Sequence, residues 1–144
     1  MSEYTYELKQ SFKYAKSGEQ EDATFITITA PNYDQLLKAA PIKQAFMAAA
    51  RQVTSDGDDD KDKEKPTDAK ITGQQCIQLL YNWDGDMVKV LVYAQELFKS
   101  GVALVDGEAK LNIELIKKMS AADFEGLVGA YIANFIAPSL MDGQ

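Results

Sequence analysis

From Tyr4 to Tyr14 the even positions Tyr4, Tyr6, Leu8, Phe12 and Tyr14 are apolar or aromatic. The odd positions Thr5, Glu7, Lys9, Ser11 and Lys13 are polar. A period of two marks a half-buried strand. Gln10 interrupts the apolar side, which signals a bulge or a bend. The polar stretch "AKSGEQED" then predicts a turn around Gly18. The β-branched run "TFITIT" is expected to pair back as the second strand of a hairpin. A hairpin leaves at least one ladder edge open unless "ALVDGEAKL", with its Asp106-Gly107 turn signal, forms a small ribbon and covers it. Phe25, Thr27 and Thr29 are therefore the expected self-association residues.

After Pro31 the period changes. Asn32 and Gln35 have capping-box spacing and open a helical region. Pro41 is expected to kink or restart that helix, because it lacks an N–H and crowds the preceding turn. Ile42, Ala45, Phe46, Ala49 and Val53 then share one face. Thr72 and Gln75 repeat the capping-box spacing ahead of Cys76, Leu79, Leu80 and Trp83. Asp84-Gly85-Asp86 is expected to break this helix, and Met87 to Phe98 resume it as far as Gly101. A short helix is expected from Ile113 to Met119, and Ser120 with Asp123 starts a last one. That helix has a large face (Phe124, Leu127, Val128, Tyr131, Phe135) and a small one (Gly126, Ala130, Ala133, Ala137). The small face admits another helix at close range, within the chain or from a second copy. The pattern predicts an α+β fold, an N-terminal β-hairpin followed by a mainly α-helical domain with an acidic flexible insertion. The hairpin and first helical region span 1–53, the acidic segment 54–70, and the second helical region 71–144, packing with the first into one domain.

The acidic segment "TSDGDDDKDKEKPTDAK" places Asp56, Asp58 and Asp60 at alternate positions, as a calcium loop does. Started at Asp56, the loop would need glycine at Lys61 and glutamate at Thr67; started at Asp58, at Lys63 and Ala69. Neither register supplies the turn or the bidentate ligand. Dense charge, Pro66 and no apolar residue before Ala69 predict a solvated tether.

Charge and composition narrow the function. The 144 residues carry a net charge of −7, with one cysteine and no histidine. An acidic chain without a basic face is not expected to bind nucleic acid or anionic membranes. The opening "MSEYTYELKQ" lacks the basic-then-apolar pattern of a secretory signal, and an intracellular, reducing setting is expected. Without histidine no Ser-His-Asp or Cys-His pair can form. Phosphate-binding glycine motifs are absent. Cys76, on a stripe beside Leu79 and Leu80, reads as a core residue. No enzyme is expected, and no catalytic, cofactor-binding or metal-binding residue is assigned. In "AFMAAARQV" a soft apolar face around Met47 makes Ile42, Phe46 and Met47 the expected partner-binding residues, with a place in the core as their alternative.

The amino-terminal stretch, through Leu8, Phe12, Gly18, Phe25, Ile28, Pro31, Asp34 and Leu36, resembles the tail assembly chaperones of long-tailed bacteriophages. Ser120, Asp123 and Phe124 resemble the start of that family's late helix. These pieces cover about half the chain, and the acidic insertion departs from the family. The resemblance implies a non-enzymatic chaperone that coats or solubilises the tape measure protein and helps recruit tail tube subunits. It implies three partners, the tape measure protein, the tail tube protein and further copies of itself. It also implies a place in the host cell cytoplasm and absence from the mature virion. Two other readings stay open: a small acidic adaptor or regulator binding one protein through its helical face, and an enzyme using carboxylates and a metal.

Overall fold

The computed structural model describes residues 3–56 and 71–138. Four strands open the chain: β1 (Glu3–Glu7), β2 (Lys13–Lys16), β3 (Glu19–Asp22) and β4 (Phe25–Thr29). Helices α1 (Tyr33–Asp56), α2 (Gly73–Tyr81) and α3 (Met87–Leu97) follow. Short strands β5 (Ala103–Val105) and β6 (Ala109–Lys110) lead into α4 (Ile113–Lys118) and α5 (Ala121–Tyr131). The fold is α+β, a hairpin sheet at the amino end followed by a mainly helical region.

The expected single hairpin is two. β1 pairs antiparallel with β4, and β2 with β3. Leu8 N–H donates to the Thr24 carbonyl at 3.0 Å, and Ala23 N–H to the Phe12 carbonyl at 2.7 Å. Lys9, Gln10 and Ser11 are thus extra residues on one strand, a bulge at the position Gln10 signalled. The turn beyond it is tighter than the polar stretch suggests. Ser17 (φ 55°) and Gly18 (φ 82°) form a two-residue loop with both φ angles positive, and Glu19 to Asp22 continue as strand. All four β3 residues face solvent, so they carry no alternation to read.

"ALVDGEAKL" is a ribbon, and it completes the main sheet in the order β1-β4-β5-β6. β4 lies in the interior of that sheet. Its Ile26 and Ile28 are fully buried, and even Thr27 is nearly so.

Both expected capping boxes form. Asn32 and Gln35 exchange side chain-to-backbone bonds at 2.9 and 3.0 Å, and Thr72 and Gln75 at 3.1 and 2.9 Å. Asp86 caps α3 through the N–H groups of Val88 and Lys89, so Asp84-Gly85-Asp86 breaks the helix as expected. Asn112 caps α4 and Ser120 caps α5. Pro41, by contrast, does not interrupt α1, which is continuous across it. The proline leaves only the Leu37 carbonyl without its helical donor, and Leu37 is exposed to water. After Leu97 the helix widens into a π turn over Phe98–Val102, where Gly101 (φ 113°) hands the chain to β5. A second π segment, Ile132–Ile136, extends α5.

The helices pack as two close pairs, α1 with α3 and α2 with α5, and α1 also touches α2. Both helical regions therefore share one core. At its centre the Phe98 ring lies edge-on to Phe124 (5.8 Å) and Tyr131 (6.0 Å). The small face of α5 is used within the chain. A side chain at Gly129 would overlap the Gly73 carbonyl of α2, and one at Gly126 the Tyr6 ring of β1. Glycine there lets α2 and β1 approach the α5 backbone. Among the described residues no helix is long and apolar enough to cross a membrane. Of the expected tether, Thr54, Ser55 and Asp56 belong to α1; residues 57–70, which include most of both calcium registers, lie outside the described residues.

Candidate interaction surfaces

The predicted partner-binding residues divide. Ile42 and Phe46 are buried core residues, and Met47 is half-buried. The face that the sequence assigned to a partner is the one α1 turns inward. Its outward face is also apolar: Tyr33 is 75% exposed, Leu37 55% and Leu36 49%. The half-buried Ala40 and Met47 continue the same side.

α3 lies antiparallel beside α1. Gln35 Nε2, near the start of α1, donates to the Ser100 carbonyl beyond the end of α3 (3.1 Å). Near the other end Gln52 Nε2 donates to the Asn82 carbonyl (3.1 Å), and its Oε1 accepts from Asp84 N–H (3.1 Å). α3 in turn exposes Val88 (67%), Val92 and Tyr93. Two adjacent helices thus present large apolar side chains to water.

The predicted self-association residues Phe25, Thr27 and Thr29 do not lie on a free edge. β4 pairs with β1 on one side and with β5 on the other. Thr27 is opposite both Thr5 and Leu104. Strand addition at β4 would have to displace a neighbour; among the described residues the open edges of the main sheet belong to β1 and β6.

Beside β1 runs a cleft of about 410 Å³, lined by Tyr4, Tyr6 and Lys9, by Gly73, Gln74 and Ile77 of α2, and by Ala122, Glu125, Gly126, Ala130 and Asn134 of α5 and its extension. One wall is fixed by Asp123. This fully buried carboxylate accepts from Tyr6 O–H (2.9 Å), Lys9 N–H (2.9 Å) and Gln10 N–H (3.0 Å). It ties the bulge to the first turn of α5, whose N–H groups also favour an anion. Burial pushes its pKa up, but these bonds and Ser120 outweigh burial and hold it below the ordinary carboxyl value. The Tyr6 hydroxyl is pushed well up, first by burial and then by its bond to Asp123.

Asp106 does the same work at the other hairpin. At φ 53° it accepts from Tyr14 O–H (2.8 Å), Thr24 N–H (2.9 Å) and Phe25 N–H (3.3 Å). Burial opposes its ionisation, and the bonds from Thr24, Tyr14 and Phe25 prevail and lower its pKa. Tyr14 is pushed up to about 12 by burial and by Asp106.

No protein-family model, curated protein or solved structure matches the chain.

Cys76 is fully buried, and burial pushes its thiol up to about 12, as expected of a core cysteine. Three features escaped the sequence reading. Leu36 and Leu37 are adjacent leucines pointing away from the Ile42–Phe46 stripe, and a second apolar stripe on one helix is a signal that the pattern did carry. Asp123 was visible only as a capping residue. The free edge of β1 depends on where β5 lands, 75 to 79 positions after β4's paired residues, and no local pattern encodes that.

Proposed function

We propose that this chain is a non-enzymatic tail assembly chaperone of long-tailed bacteriophages. It coats or solubilises the tape measure protein and helps recruit tail tube subunits. It acts in the host cell cytoplasm and does not enter the mature virion. The observation that carries this reading is the pair of outward apolar faces, Tyr33, Leu36 and Leu37 on α1 and Val88, Val92 and Tyr93 on α3. A chaperone for a long helical client needs apolar surface to cover the client's stripes, and contacts weak enough to be displaced. Two modest apolar faces on adjacent helices supply both. The net charge of −7 keeps coated complexes apart. Repeated copies along one client raise avidity without high affinity at each site.

The test is co-expression with tape measure fragments of increasing length. The number of bound copies grows with fragment length. Leu36→Asp with Leu37→Asp reduces it at least tenfold while the far-ultraviolet spectrum and melting temperature stay near the parent's, because both side chains face water. Ile42→Asp and Phe46→Asp are not usable for this purpose, since a charge in the core unfolds the chain. One bound copy at every length refutes coating and favours the single-partner adaptor.

A further inference from the structure

The outer edge of β1 is the feature that neither α1 nor the coating reading uses. Leu8 N–H is bonded to Thr24, and the β1–β4 register keeps every pair in phase with that bond. Tyr4 and Tyr6 therefore direct their N–H and C=O groups to β4, and Glu3, Thr5 and Glu7 direct theirs outward. Among the described residues no strand pairs with that outward row. Side chains alternate with it. Glu3, Thr5 and Glu7 are exposed on one face, and Tyr4 and Tyr6 on the other face line the cleft against α2 and α5. The edge and the cleft run side by side.

We propose that β1 receives an extended segment of another protein as an added antiparallel strand, and that this segment carries lysine or arginine four residues apart with small or medium apolar residues between. The carbonyl and N–H groups of Glu3, Thr5 and Glu7 supply the ladder. Basic side chains at the incoming positions opposite Glu7 and Glu3 pair with those carboxylates. The residues between them fall beside Tyr6 and Tyr4 and reach into the cleft toward Ile77 and Ala130.

Charge selects this occupant over a second copy. Two β1 strands centred on Thr5 would set Glu3 against Glu7 of the other chain, twice, and like charges directly opposite one another oppose pairing. Acidic side chains on an edge are a device against self-pairing; they leave the edge open to a strand of opposite charge. The inference stands apart from the coating reading, which concerns α1 and α3.

The probe is the peptide Ser-Thr-Lys-Val-Thr-Val-Lys-Thr-Ser, titrated into the isotopically labelled full chain and followed by amide chemical shifts. Shifts are expected at Glu3, Thr5, Glu7, Ile77 and Ala130. A peptide with glutamate in place of both lysines binds about tenfold more weakly. Glu3→Lys with Glu7→Lys reverses that ranking. Thr5→Pro abolishes binding yet keeps the β1–β4 ladder, because the Thr5 N–H points away from β4. Should Thr5→Pro fail to fold, the charge reversal decides alone. The proposal is overturned if about 1 mM peptide moves no amide on β1, or if both peptides bind both proteins equally. It is also overturned if the parent sediments as a dimer that Thr5→Pro dissolves, since the edge then belongs to a second copy. None of these results touches the Leu36 and Leu37 test.

Discussion

The Asp123 carboxylate holds Tyr6, Lys9 and Gln10 from 113 to 117 positions away in the chain. Asp123→Asn keeps the shape but turns an amide donor toward two backbone donors. The expected cost is about 2–4 kcal/mol, read as a lower urea midpoint with an unchanged slope. Tyr131 is the opposite case. Its hydroxyl is buried and has no hydrogen-bond partner among the described residues. Tyr131→Phe removes only an unsatisfied group, and is expected to be neutral or to stabilise by about 1 kcal/mol in the same measurement. Residue-scale roles of this sort were partly legible. The spacing of Ser120 and Asp123 announced a cap, and the Ser120 hydroxyl does accept from Asp123 N–H at 3.1 Å. That the carboxylate would turn away toward the bulge was not written locally, because its partners come from the other end of the chain.

At the scale of elements, the caps and breaks were readable because each is a contact between residues two or three apart. Asn32–Gln35, Thr72–Gln75 and Asp86 belong here. What failed was pairing. The alternation from Tyr4 to Tyr14 continues in sequence across a bulge that divides it between two sheets. The partner and core readings of Ile42 and Phe46 stayed open for a related reason: two apolar stripes lie on α1, and only packing decides which is inside. Gly129 shows helix packed directly on helix backbone. Gly129→Ala brings a methyl group against the Gly73 carbonyl, so α2 and α5 must separate, and a loss of about 1–3 kcal/mol in chemical denaturation is expected. Leu36→Ala, on the outward side of α1, should change the same midpoint by less than about 0.5 kcal/mol.

For the whole molecule, the Asp106 and Asp123 carboxylates shape the acid limit, and the buried phenols together with the Cys76 thiol shape the alkaline one. Asp106 and Asp123 titrate below the ordinary value of 3.8 when folded. Their contribution is complete above that value and is lost as the pH falls below it through the folded pKa values. Tyr14 and Tyr6 titrate above their ordinary value of 10.0. Their contribution is complete below pH 10.0 and is lost as the pH rises, for Tyr14 through about 12. Urea midpoints measured against pH should therefore form a plateau that falls on both sides. In Asp123→Asn the acid limb becomes shallower, because one of the two carboxylates no longer takes up a proton.

The ladder between β4 and β5 also has a consequence in time. Ile28 cannot meet Ala103, nor Lys9 meet Asp123, until the ribosome has made the later partner. The 75 positions separating Ile28 from Ala103 correspond to on the order of ten seconds of synthesis. Throughout that interval the nascent hairpins have strand edges with nothing to pair against, and neighbouring ribosomes on one message carry identical copies. Glu3 and Glu7 give the β1 edge a negative surface, while on the second hairpin Asp22 is paired with Lys13. The same acids that choose a partner for the finished protein keep its unfinished copies from choosing each other.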